Sequence, residues 1–181
     1  MKKKNILIGV TGSIATYKAL EIVNQLSKDS YNVNVVMTRS ATEFVTPMTF
    51  EILSSNPVAV EMFGEAASSD VEHIELAKQA DLFVIAPATA NIIGKLANGI
   101  ADDMLSTIAL AVTSPTLIFP AMNTAMLQNA IVQDNMAKLR RFDYQVYGTG
   151  SGELACGDVG DGKLMAWQDI VQIIKEYPMS E

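Results

Sequence analysis

Two segments place polar residues where an apolar run has just ended. Leu117-Ile118-Phe119 gives way to Pro120-Ala121-Met122-Asn123-Thr124-Ala125-Met126. Earlier, the apolar run 82–86 gives way to Pro87-Ala88-Thr89-Ala90-Asn91. A buried strand accepts Asn and Thr at its end rather than in its middle, and proline breaks its hydrogen-bond ladder. In open parallel sheets the carboxyl ends of the strands are where ligands bind. Two strands with matched polar ends therefore point to one shared crevice.

The groups that could act there are few. The amide of Asn123 can hold a carboxylate, aided by a helix start whose dipole contributes about 0.3–1 kcal/mol at exposed sites; the same residue is equally at home as an N-cap. Gly12-Ser13-Ile14 joins the first strand to the first helix. Gly12 permits a tight turn, and the N–H groups of a helix start attract an anion. A plain βα turn is the competing reading, and the helix-terminus argument favours the anion. The spacing is not G-x-G-x-x-G, and the Gly-Lys-Ser/Thr of a P-loop is missing, so a nucleoside triphosphate is not expected. No acidic residue ends the second strand to bind a ribose of NAD; Thr38, Arg39 and Ser40 stand there, which suits a single phosphate monoester.

His73, the only histidine, sits in the first turn of an expected helix beside Glu72 and Glu75. The helix start disfavours imidazolium and the carboxylates favour it, so pattern alone leaves its role open between catalysis and structure. Cys156, the only cysteine, lies in the Gly-rich stretch 148–162, which reads as a mobile loop. Asp158 does not lower a thiol pKa, so a protonated thiol able to donate is the natural reactive state, with an inert role the alternative. Met122 and Met126 suit either core packing or a planar, polarisable ligand. Ser106 and Thr107 can face the crevice or serve the helix backbone.

The elements that must position these groups alternate along the chain. Strands are expected over 6–10, 33–37, 82–86, 116–119 and 144–147, with a short one in 58–63. Helical spacing marks 19–26, 44–53 with Pro47 dividing or starting it, 71–79 behind a Ser68-Ser69-Asp70 cap, 92–97, 104–112, 123–139 and 166–177. Nearly continuous apolar strands between helices imply an α/β fold, a parallel sheet with helices on both faces. Right-handed crossovers then bring all the polar strand ends to one side.

Composition agrees. The 181 residues suit a single domain, 1–181, and 49% hydrophobic residues supply a core with surplus for subunit contacts. A net charge of −7 argues against nucleic acid as a partner. No apolar run approaches membrane-spanning length, and the lysines at 2–4 lead into a strand rather than a signal peptide, so a cytoplasmic location is expected. One cysteine and one histidine do not make a usual zinc site.

Gly12-Ser13-Ile14, His73, Pro87 to Asn91, Pro120 to Met126 and Ala155-Cys156-Gly157-Asp158, in this order, resemble the flavin-dependent cysteine decarboxylases, most of all the branch acting on 4′-phosphopantothenoylcysteine in coenzyme A synthesis. The resemblance spans nearly the whole chain. It implies a three-layer, Rossmann-like, flavodoxin-type fold binding FMN. By resemblance, Gly12, Ser13, Ile14, Thr38 and Ser40 hold the phosphate and ribityl chain, and Thr89, Ala90, Asn91, Ile92, Ser106 and Ala121 line the flavin. Asn123 binds the substrate carboxylate with Met126 beside it, His73 is the base, and Cys156 is the proton donor.

Family members form homotrimers, or dodecamers of trimers, with the cofactor at a subunit interface, so His73 is expected to serve a neighbour's flavin. A ligase domain carried by some relatives is expected as a separate partner. Two positions depart from the family pattern: Ile92 replaces a frequent Thr, and Leu127 a frequent Trp. The implied chemistry is lyase chemistry without net redox. The substrate CH₂–SH loses two electrons to the flavin, carbon dioxide leaves the resulting thioaldehyde, and the electrons return with a proton to give 4′-phosphopantetheine. A peptidyl-cysteine decarboxylase and a non-catalytic flavin-binding regulatory subunit are the alternatives.

Overall fold

The computed structural model describes residues 3–63, 72–153, 157 and 159–179. Strand β1 (Asn5–Val10) is followed by helix α1 (Thr16–Lys28), β2 (Asn32–Met37), α2 (Arg39–Thr42), α3 (Pro47–Ser54), β3 (Val58–Ala59) and α4 (Glu72–Gln79). Then come β4 (Leu82–Ala88), α5 (Ala90–Ala97), α6 (Met104–Ala111), β5 (Thr116–Pro120), α7 (Thr124–Gln128) and α8 (Ala130–Arg141). Strands β6 (Gln145–Val146), β7 (Gly150–Glu153) and β8 (Val159–Lys163) and helix α9 (Trp167–Glu176) complete the described chain. No helix among the described residues is long and apolar enough to cross a membrane.

Six strands form a parallel sheet in the order β3-β2-β1-β4-β5-β6. This is the doubly wound order 3-2-1-4-5-6; without the two-residue edge strand β3 it becomes the flavodoxin order. The expected α/β class is therefore observed. The winding reverses between β1 and β4, which leaves a crevice at their carboxyl ends.

Alternation along the strands feeds two cores. Ile6, Ile8, Val10, Leu82, Val84, Ala86, Leu117 and Phe119 pack on one face with Ile22 and Leu26 of α1 and Ile170 and Ile174 of α9. Leu7, Phe83, Ile85 and Ile118 pack on the other with α5, α6 and α8. Burial on both faces explains why these strands read as continuous apolar runs. At Gly9 the second layer lies so close that a Cβ would stand 3.1 Å from Leu105 and 3.2 Å from Phe83.

Three expectations need correction. The span 123–139 is two helices, not one. Asn129 takes an extended backbone, its Oδ1 accepts from Ile131 N–H at 2.9 Å, and it caps α8. The Gly-rich stretch 148–162 is not merely a loop, because β7 and β8 pair antiparallel within it. Both proline-bearing strands also run further than expected: β4 reaches Ala88, and Ala88 pairs with Pro120 beyond a register shift. Proline lacks an N–H, but its carbonyl still accepts, and that of Pro87 does so here. The Ser68-Ser69-Asp70 cap lies outside the described residues.

Candidate functional site

Thr11 laces the reversal point together. Its N–H and Oγ1 both donate to Pro87 O, at 3.3 and 2.7 Å, and Oγ1 accepts from Thr89 N–H at 3.0 Å. Thr89 in turn caps α5 by accepting from Ile92 N–H at 3.3 Å. One buried hydroxyl thus ties the loop after β1 to the loop after β4. On the far side, a Cβ on Gly12 would come within 2.6 Å of Ser40 Cβ and 3.0 Å of the Ser40 backbone. Glycine is what lets the two loops close up. Gly12, Ser13, Thr38 and Ser40, predicted to act together, are brought together by this contact. Thr38 Oγ1 is buried and has no hydrogen-bond partner among the described residues. A buried, unmatched hydroxyl is costly unless a polar ligand group meets it.

Ser13 begins the wall of a cleft of about 510 Å³, a volume typical of cofactor and small-molecule sites. The cleft is lined by Ser13, Ile14, Tyr17 and Lys18 from the start of α1, by Ala121, Met122 and Asn123 after β5, and by Glu153 and Lys163 of the β7–β8 hairpin. Ser13 Oγ accepts from Ala15 N–H at 3.2 Å. Thr16, wholly buried, donates to Ser13 O at 2.6 Å and fixes the turn. Ile14 is 60% exposed, an apolar side chain held at the cleft edge.

Asn123 Oδ1 accepts from Ala125 N–H at 2.8 Å. That cap orients the amide, and its NH₂ end is the one able to donate. The helix it starts, α7, has five residues, so the dipole help expected at Asn123 is small. The hairpin clamps this same segment. Met122 N–H donates to Gly162 O at 2.9 Å, and Thr124 Oγ1 donates to Asp161 O at 2.6 Å. Gly162 has φ +122°, and a Cβ there would lie 2.1 Å from Met122 O. The glycines that suggested mobility instead allow this close approach. Gly162→Ala should therefore detach the hairpin from Asn123, read as faster amide exchange at Met122 and a loss of about 1–3 kcal/mol in unfolding free energy. Unchanged exchange at Met122 would contradict the clamp.

The other predicted residues divide. Ala90 and Asn91 open α5 beside the crevice, half-buried and exposed respectively. Ile92 is 1% exposed and belongs to the second core, so its side chain is committed to packing. Ser106 is wholly buried in a capping box. Its N–H donates to Asp103 Oδ1 at 2.8 Å, and its Oγ accepts from Asp103 N–H at 3.2 Å. Burial works against ionisation of the Asp103 carboxyl, but the Lys95 ammonium at 2.6 Å and the bonds from Ser106 outweigh it and hold the pKa below the ordinary value. Met126 is 48% exposed on α7 and does not line the cleft.

His73 is half-buried on α4, whose Ala77 packs in the second core, whereas the cleft opens beside α1 on the first. His73 is not among the residues that line the cleft with Asn123. Cys156 lies outside the described residues, between β7 and β8 in sequence.

Sequence reasoning missed Tyr17, Lys18, Glu153 and Lys163. The α1 pair was detectable, since Ser13, Ile14, Tyr17 and Lys18 repeat at three- and four-residue spacing. The hairpin pair carried no periodic signal. Burial lowers the Lys18 pKa, and the nearby charge of Lys163 lowers it further.

The chain is 47% identical over 175 residues to a probable phosphopantothenoylcysteine decarboxylase of Streptococcus mutans, covering 96% of this chain and 98% of that one. It is 45% identical over 177 residues to the coenzyme A biosynthesis bifunctional protein CoaBC of Bacillus subtilis, covering 98% of this chain but 44% of that one. The chain thus spans less than half of that bifunctional relative. Among solved structures it is similar to a cysteine-to-serine mutant of PPC decarboxylase complexed with pantothenoylaminoethenethiol, with TM-score 0.82, 27% identity and coverage of 96% and 97%. The FMN binding protein AtHal3 gives TM-score 0.80, 27% identity and coverage of 96% of each chain. A family model described as Flavoprotein matches residues 1–178, everything from the first strand to the last helix, and the chain accordingly belongs to the Flavoprotein family.

Proposed function

We propose that this chain decarboxylates 4′-phosphopantothenoylcysteine to 4′-phosphopantetheine with bound FMN. The observation that carries the reading is the cleft itself. Asn123, oriented by the Ala125 amide, shares it with Ser13, Ile14 and Ala121. The Streptococcus mutans relative, matched along 98% of its length, supports the substrate. The unmatched Thr38 hydroxyl and the Gly12–Ser40 approach fit a phosphate-bearing cofactor.

When bound, FMN supplies a two-electron acceptor that later returns the electrons. The chain's own groups do the rest. Gly12, Ser13, Ile14, Thr38 and Ser40 hold the phosphate and ribityl chain. Thr89, Ala90, Asn91 and Ala121 border the ring, while Ile92 and Ser106 shape it from behind through packing and capping. The NH₂ of Asn123 orients the substrate carboxylate, with Met126 at the outer edge; correct orientation contributes about 7–11 kcal/mol in favourable cases. His73 takes the thiol proton, and because it is not among the residues lining its own cleft, it serves a neighbouring subunit of a homotrimer. The Cys156 thiol returns a proton to the product. A ligase that joins cysteine to 4′-phosphopantothenate supplies the substrate.

Purified protein should carry oxidised flavin absorption near about 370 and 450 nm. It should release carbon dioxide from 4′-phosphopantothenoylcysteine without added reductant. A protein that stays colourless with FMN, or that acts only on a C-terminal peptidyl cysteine, would overturn the reading.

A further inference from the structure

Two cations face one cleft. Lys18 projects from the first turns of α1 and Lys163 from the end of β8, and both line the volume that holds Asn123. Lys163 pairs in register with Gly150, and its side chain runs back over Gly152, where a Cβ would lie 3.4 Å from Nζ. Gly152 at φ +136° has no side chain to block that path. Neither lysine has an ion-pair partner among the described residues; the ion pairs there belong to Lys95 and Lys175. The carboxylate in the cleft, Glu153, is exposed and forms no ion pair with either lysine among the described residues. In a chain of net charge −7, this is a local concentration of positive charge.

Two ammonium groups in one half-buried cleft repel each other, and burial adds to the cost, as the lowered Lys18 pKa reflects. A ligand that relieves both must bring close to two negative charges. A carboxylate brings one. A phosphate monoester carries about −1.5 to −2 at neutral pH. Asn123, neutral and fixed by its cap, suits the carboxylate end of the same molecule.

We infer that Lys18 and Lys163 together hold the distal phosphate of the substrate and so select phosphorylated over unphosphorylated pantothenoyl compounds. This rests on the proposed function and adds two residues that set specificity. The shared chemistry, a phosphate monoester, is also present in FMN, so the test separates the two sources.

Using the flavin-loaded protein, titration calorimetry compares 4′-phosphopantothenate with pantothenate, and turnover compares the phosphorylated and unphosphorylated cysteine substrates. The wild type should prefer the phosphorylated member of each pair. In Lys163→Ala the ratio of the two kcat/KM values should fall by about tenfold to a hundredfold, the range for lost charge-assisted hydrogen bonds. Lys163→Arg should restore most of it. The visible flavin spectrum should be retained in both variants. Equal losses on the two substrates would assign the lysines to the carboxylate, and loss of flavin would assign them to the cofactor; either result overturns the inference. Should the wild type fail to release carbon dioxide, the proposed function falls, while the binding comparison still decides whether the lysines read phosphate.

Discussion

Asn123→Asp should give a protein that keeps its flavin colour and folds as before but decarboxylates about a thousandfold more slowly. The fold survives because aspartate is as good an N-cap as asparagine, and the bond from Ala125 N–H is retained. The substitution exchanges the amide NH₂ for a second negative oxygen. In the proposed site, a donor to the substrate carboxylate becomes a like charge. At about 4 Å and an effective dielectric of about 20, that repulsion costs about 4 kcal/mol, equivalent to about a thousandfold. Carbon dioxide release measured alongside the flavin spectrum checks this. Wild-type turnover from the variant would remove Asn123 from the carboxylate site. Bleached protein would mean that Asn123 supports the cofactor instead.

Cys156→Ser should uncouple the reaction. Carbon dioxide should still be released, because in the proposed reaction carboxylate loss depends on oxidation of the substrate thiol and on Asn123, not on Cys156. The final reduction needs a proton at carbon. A serine hydroxyl is a far weaker acid than a thiol, whose ordinary pKa is near about 8.5. General-acid groups contribute about a hundredfold to ten-thousandfold, and the yield of phosphopantetheine should fall by that order. Mass spectrometry should find a decarboxylated product lighter by one H₂, the ene-thiol. Normal phosphopantetheine yield from the variant would end the donor assignment. The two variants stop the reaction at different points, so together they separate binding from proton return.

Much of the molecule was legible because burial on both sheet faces leaves a strong trace. Strands β1, β2, β4 and β5 are runs of apolar residues, and their polar ends, at Thr11, Thr38, Thr89 and Asn123, marked the side on which the cleft opens. Pro47 starting α3 and His73 in the first turn of α4 followed from local rules of the same kind. The misses share a cause. The hairpin Gly150–Lys163 has glycine where alternation would be read, so no pattern announced it. The break at Asn129 is set by one residue's extended backbone and its bond to Ile131, while apolar spacing runs on across it.

The order of residues by itself determined the parallel sheet, the side on which the cleft opens, and the identity of Gly12, Ser13 and Asn123 as groups at that side, because each depends on neighbours in the chain. Tertiary structure alone decided the rest. It set Lys163 into the same cleft as Lys18, folded the glycine hairpin onto Met122, and left His73 outside the lining of the cleft that holds Asn123. Those relations join residues distant in sequence through backbone approach and sheet packing, which no local spacing encodes.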